Sequence, residues 1–174
     1  MQKIFSRDEA LGLLKEAGCS PSVVEHCLAV TELALEIANK IRENGHDVDL
    51  EFVESAALLH DIGRSKTHDV EHGVVGAEIL KDYPAYARVC ECHLGAGIDR
   101  GEAESIGLPA RDYFPESLEE KIITHADNLI DHDKIAPLEL VLKELKEILG
   151  EDHPAINRVI ELDKYINSLM KEKR

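Results

Sequence analysis

Between Pro21 and Gly45 no helix breaker interrupts the chain, and Val23, Cys27, Val30, Ala34, Ile37, Ala38 and Ile41 recur at three- and four-residue steps. That spacing lines one face of an α-helix and no face of a strand, so it predicts a long amphipathic helix with one side in a core. Ser20 and Pro21 supply its start, a side-chain acceptor followed by a residue whose fixed φ suits the first turn. The same signals recur elsewhere. Ser6 with Glu9 forms a capping box for a first helix that Gly18 closes. Asp49 caps a third helix running to His60-Asp61, where Gly63 is expected to stop it. A helical pattern from about His72 to Asp82 and a short helix from Pro84 towards His93 follow. The Ser117/Glu120 capping box opens another, and Pro137 and Pro154 begin the last two. Gly95, Gly97, Gly101, Gly107, Pro109 and Pro115 mark an irregular stretch between them. No alternating pattern predicts a strand. The expectation is an all-α, single-domain helical bundle over 1–174, with a motif-bearing core at about 20–132 and helices at 137–171 packed on it.

Composition narrows the partners. A chain of 174 residues can bury a real core without disulfides or a structural metal. Lys and Arg number 20 against 35 Asp and Glu, a net charge of −15 with the histidines neutral. Such acidity repels phosphate backbones, so a nucleic-acid groove is not expected, although a local cationic pocket is compatible with it. Met1 to Phe5 lacks the charged-then-apolar pattern of a signal peptide, and no apolar run approaches membrane-spanning length. Cys19, Cys27, Cys90 and Cys92 form no secreted-type framework and fit a reducing compartment. These features predict a cytoplasmic protein with no membrane and no nucleic-acid partner.

The apolar run Phe52, Val53, Ala56, Ala57, Leu58, Leu59 ends in His60-Asp61, an imidazole beside a carboxylate with no packing reason to be there. Both carry lone pairs for a divalent metal such as zinc, iron, manganese or cobalt. His26 stands beside the buried stripe of its own helix, and Asp127 lies in Thr124-His125-Ala126-Asp127-Asn128-Leu129, where a carboxylate next to a core face is costly unless paired or bound to metal. His125, two residues before Asp127, faces elsewhere on a helix and is not expected to be a ligand. Cys90-x-Cys92-His93 lacks a second cysteine pair, so a closed thiolate zinc site is not expected and the cysteines read as helix packing.

The order His26, His60-Asp61, Asp127, each on its own helix, resembles the HD-domain superfamily of metal-dependent phosphohydrolases, over about His26 to Asp131. Leu58-Leu59-His60-Asp61-Ile62-Gly63-Arg64 is similar to that family's central motif and Ala126-Asp127 to its closing aspartate. His72 in Glu71-His72-Gly73-Val74-Val75-Gly76-Ala77 and His93 in Cys92-His93-Leu94-Gly95 resemble the extra histidines of two-metal members. Members that cleave dinucleoside polyphosphates have a similar His-Gly-x-x-Gly-Ala segment. Over its full length the chain also resembles archaeal and other prokaryotic members of the family. The resemblance implies that His26, His60, Asp61 and Asp127 hold one divalent ion and that Asp61 bridges to a second held by His72 and His93. Shared negative charge would offset the repulsion of cations roughly 3.5–4 Å apart. It further implies two ions of iron, manganese, cobalt, nickel or zinc, and attack by metal-activated water on a small phosphorylated substrate such as a nucleotide, with Asp127 orienting the water. Arg64 stands where many members carry Lys, and its planar fork suits a phosphate. Lys66 and His68, in the same loop, are candidates for substrate contact or proton donation to the leaving group. The same ligand set is also similar to di-iron members that use oxygen, and a nucleotide-binding module without turnover is the remaining alternative. Leu138, Val141, Leu142, Leu145 and Leu149 could serve the core or a homodimer contact.

Overall fold

The long stripe becomes α2 (Pro21–Glu43), the longest helix of the fold. The computed structural model describes residues 3–171, so the outermost positions of the expected 1–174 span lie outside the described residues. The other helices are α1 (Arg7–Ala17), α3 (Leu50–Leu59), α4 (His72–Ile79), α5 (Pro84–Cys92), α6 (Arg100–Ser105), α7 (Leu118–Asn128), α8 (Leu138–Leu149) and α9 (Pro154–Met170). A 3-10 turn spans Ile62–Ser65, and a hairpin joins β1 (Ile130–Asp131) to β2 (Lys134–Ile135). The architecture is all-α apart from that hairpin.

The predicted caps are present. Ser6 and Ser117 form complete capping boxes with Glu9 and Glu120, Ser20 and Asp49 accept from Val23 and Phe52, and Gly18 closes α1 with φ 87°. The stripe residues Val23, Cys27, Val30, Ala34, Ile37, Ala38 and Ile41 are all buried. They meet α3 and α7, with α9 adding Val159, Leu162 and Ile166 to one core that runs from Phe5 to Ile166. Tyr86 anchors α5 to this core: its hydroxyl lies 2.8 Å from Ser55 Oγ and accepts from Phe5 N at 3.0 Å. α8 buries no residue fully, and Leu138, Leu142 and Leu145 pack partly against the core while Leu140, Ile148 and Leu149 stay exposed.

Four local expectations are revised. The stretch after His93 contains α6, whose Asp99/Glu102 capping box is a sequence signal hidden among the glycines. The hairpin has two residues per strand, too short for alternation to show. α4 ends at Ile79 rather than Asp82: Tyr83, which precedes Pro84, is held outside the helical region at φ −128° and ψ 76°. Gly63 is not a left-handed stop for α3. It lies buried inside the 3-10 turn, where a Cβ would sit 1.9 Å from the His72 carbonyl oxygen and 2.6 Å from Gly76 N.

Candidate metal centre

Each candidate ligand is delivered by the end or first turns of a helix. His60 is the C-cap of α3 and Asp61 opens the 3-10 turn, His72 starts α4, His93 caps α5, and Asp127 lies in the last turn of α7. His26 sits in the second turn of α2. The glycines of the 63–76 segment let these helix ends meet. A Cβ on Gly73 would stand 2.6 Å from the Cys90 carbonyl oxygen, and one on Gly76 3.1 Å from Cys90 Sγ. Backbone contact at those points brings α4, with His72, against α5, with His93.

The result is two adjoining groups. His26 Nε2 lies 2.9 Å and His60 Nε2 3.3 Å from Asp127 Oδ1. Nε2 of His72 and of His93 stand 3.1 Å apart, and both face Asp61 Oδ1, at 3.2 and 3.3 Å. The other Asp61 oxygen, Oδ2, faces the first group at 3.7 Å from His26 and 3.8 Å from His60. One carboxylate therefore presents one oxygen to each group. Donor atoms of His26, His60 and Asp127, and again of His60, Asp61 and His93, converge within 4.8 Å of one another. His60, Asp61, His72 and His93 are buried, while His26 and Asp127 are partly exposed.

This donor set fits a divalent cation. Nδ1 of each imidazole donates to a backbone carbonyl: His60 to Ala57, His72 to Asp69, His93 to Cys90 and His26 to His132. The neutral tautomer assigned from those bonds turns the Nε2 lone pair inward. Buried lone pairs then confront one another between His72, His93 and Asp61, an arrangement that needs positive charge among them. His60 Nε2 and Asp61 Oδ1 are close to these neighbours yet make no well-angled hydrogen bond, so both are buried and unsatisfied. The electrostatics show the same demand for positive charge. Burial raises the Asp61 carboxyl, but the pull of His60, His72 and His93 outweighs it and holds it well below its ordinary range. Asp127 is raised by burial and lowered more by His60 and His26, so it too ionises easily. Burial opposes charge on His60, and Asp61 and Asp127 overcome it, raising the imidazole; for His93 burial prevails and lowers it.

A cavity of about 460 Å³ opens onto the first group, lined by Ser22, Val23, Glu25, His26, Asp61, Arg64 and His68 and by the hairpin residues Asp131, His132 and Asp133. That volume suits a small molecule. Arg64 donates from Nε to Asp61 Oδ2 at 2.6 Å, and its NH1 reaches only the His68 carbonyl, at 3.4 Å. His68 is exposed at the rim, while Lys66 is exposed and is not among the lining residues. His125 is buried away from the centre, 3.8 Å from Asp163. Among the described residues Cys19, Cys27, Cys90 and Cys92 are free, and Cys90 Sγ packs on Gly76 and the Leu59 carbonyl. The sequence carries no signal for the hairpin residues or Glu25, since nothing local marks an exposed charged turn as the wall of a site. No helix among the described residues is long and apolar enough to cross a membrane.

Comparison with known proteins sets this geometry in a family. The chain is 51% identical over 167 residues, 94% of its length and 98% of the other, to an uncharacterized protein of Methanocaldococcus jannaschii. It is 37% identical over 169 residues to the tRNA (cytidine(56)-2'-O)-methyltransferase of Picrophilus torridus, covering 95% of this chain but 48% of that protein. It is 31% identical over 120 residues to the Ribonuclease Y of Clostridium botulinum, covering 67% of this chain and 20% of that one. The chain thus spans about half of that methyltransferase and a fifth of the ribonuclease. No solved structure matches it significantly. The family described as HD domain matches residues 23–130, a span that takes in His26, the His60-Asp61 pair and Asp127, and the chain belongs to that family.

Proposed function

We propose that this protein is a metal-dependent phosphohydrolase that cleaves a phosphoric ester or anhydride in a small phosphorylated compound, a nucleotide in the first instance. The observation that carries this reading is the meeting of four imidazole Nε2 atoms with Asp61 and Asp127 beside a cavity that Arg64 also lines. Two relatives named for tRNA methylation and for ribonuclease activity support a substrate built of nucleotides. The net charge of −15 favours a small one over a polymer.

His26, His60, Asp61 and Asp127 would hold one divalent ion, and Asp61, His72 and His93 a second, of iron, manganese, cobalt, nickel or zinc. Such ions supply Lewis acidity, acidifying water towards neutrality and offsetting charge on phosphoryl oxygens. Asp127, kept ionised, accepts a hydrogen bond from the attacking water and orients it. Arg64, its Nε anchored on Asp61, offers its terminal nitrogens to the phosphoryl group. His68 at the rim gives a proton to the leaving oxygen, and Lys66, exposed in the same loop, adds positive charge outside it. Glu25, Asp131 and Asp133 repel phosphate and accept hydrogen bonds from sugar or base, so the phosphoryl end is steered to Arg64.

The test is turnover. Protein reconstituted with each metal in turn is offered nucleoside mono-, di- and triphosphates, cyclic nucleotides, dinucleoside polyphosphates, short phosphorylated RNA ends and generic phosphomonoesters. Metal-dependent release that disappears in Asp61→Ala supports the reading. Metal-loaded protein that turns over none of them, or iron-loaded protein that consumes oxygen instead, overturns it.

A further inference from the structure

Three of the four imidazoles at the centre are held from nearby and one from far away. Nδ1 of His60, His72 and His93 donates to the carbonyl three residues earlier, at 2.6, 2.7 and 2.8 Å. Those bonds form with the helix end that carries the ring. His26 lies inside α2, whose own carbonyls are engaged in the helical ladder. Its Nδ1 donates instead to the carbonyl of His132, 2.8 Å away and 106 residues later.

We propose that the turn at His132 is a positioning element of the centre: its carbonyl fixes the ring orientation and tautomer of His26 and so sets the cation affinity of the His26–His60–Asp127 group. The inference rests on reading that group as a metal site. Packing does not do this work for His26, whose side chain is 19% exposed against 0% for His60 and 2% for His93. Both of its hydrogen-bond partners come from one stretch of chain, Asp127 on Nε2 and His132 on Nδ1. That stretch leaves α7 and folds back over α2 as the hairpin.

The turn has a particular conformation. Ile130 pairs with Ile135 and Asp131 with Lys134, leaving His132 and Asp133 as a two-residue loop. His132 has φ 57° and is the one non-glycine residue with positive φ among the described residues. A positive φ at the first loop position alone is the pattern in which hairpins ordinarily place Gly. His tolerates this region better than most side chains, and β-branched residues do not. The His132 side chain is 93% exposed, and its ring reaches only Asp131 Oδ1 beside it, at 3.7 Å. Its backbone, not its imidazole, carries the function.

The experiment separates backbone from side chain. Zn²⁺ is titrated into metal-stripped protein against a chromophoric chelator, for the native chain and for His26→Ala, His93→Ala, His132→Val, His132→Gly and His132→Asn. The expected result is that His132→Val loses about 10–100-fold in affinity for the cation that His26→Ala loses, the usual scale for a partner behind a metal ligand. It keeps the cation that His93→Ala loses, and the Gly and Asn variants, which accept positive φ, bind as the native chain does. Native-like binding by His132→Val, equal losses in the Gly and Val variants, or weakening of both cations alike would overturn the proposal. Because metal binding is the readout, a failure of turnover leaves this result standing. Native-like binding by His26→Ala would overturn the ligand assignment beneath it.

Discussion

Arg64 donates from Nε to Oδ2 of Asp61 at 2.6 Å, the oxygen that also faces His26 and His60. A guanidinium and a cation in the first group would therefore draw on the same oxygen, while Arg64 also lines the cavity. Arg64→Ala should retain bound metal and lose about 10–100-fold in kcat/KM, the scale of a hydrogen bond to a charged group. Arg64→Lys should recover only part of this, since a point charge cannot hold Asp61 and the phosphoryl group together. Metal analysis beside steady-state kinetics checks it. Loss of metal in Arg64→Ala would make Arg64 a structural partner of Asp61 instead.

Asp61 presents Oδ1 to His72 and His93 and Oδ2 to His26 and His60. Asp61→Ala should empty both groups of metal, whereas His72→Ala and His93→Ala should empty mainly the second. Metal-to-protein ratios of the purified variants measure this. Two metals retained by His72→Ala would remove that residue from the set.

Gly63 has no room for a methyl group, because the atoms it would meet are backbone: the His72 carbonyl and Gly76 N. Gly63→Ala must push α4 away from the 3-10 turn. A loss of about 3 kcal/mol in stability is expected, the upper range for overpacking. The surviving folded protein should be short of the metal proposed for His72 and His93. A melting temperature equal to the native one would show that the turn can give way.

The cysteines should be poor nucleophiles. Burial raises the Cys19 thiol to about 11 and Cys92 to about 12, and raises Cys27 and Cys90 as well. A raised pKa means the thiolate is scarce below it, so labelling of half-buried Cys19 should keep climbing as pH rises past 9.0 rather than level off there. Cys27, Cys90 and Cys92 should react only on unfolding. Alkylation followed by mass spectrometry, with and without denaturant, reads both. Rapid labelling of Cys90 in the folded protein at neutral pH would contradict its packing against Gly76.

What could be read from the sequence was what depends on neighbours a few residues apart. Ser6, Ser20, Asp49 and Ser117 announce helix starts because a cap bonds to a backbone three residues on, and the α2 stripe announces its buried face because helical periodicity is local. The candidates His26, His60, Asp61, His72, His93 and Asp127 could be named from their order and setting, and the fold draws them together. The α6 capping box was legible too but was outweighed by the glycines around it. Other features had no local signature. Gly63 looks like a helix stop in one dimension and proves to be a point of backbone contact with α4 in three. The division of Asp61 between two groups follows from how four helix ends converge. The hold on His26 comes from a carbonyl 106 residues away, and a carbonyl is the same at every position in a chain. Only the packed structure, which brings that turn of backbone onto α2, decides which carbonyl it is.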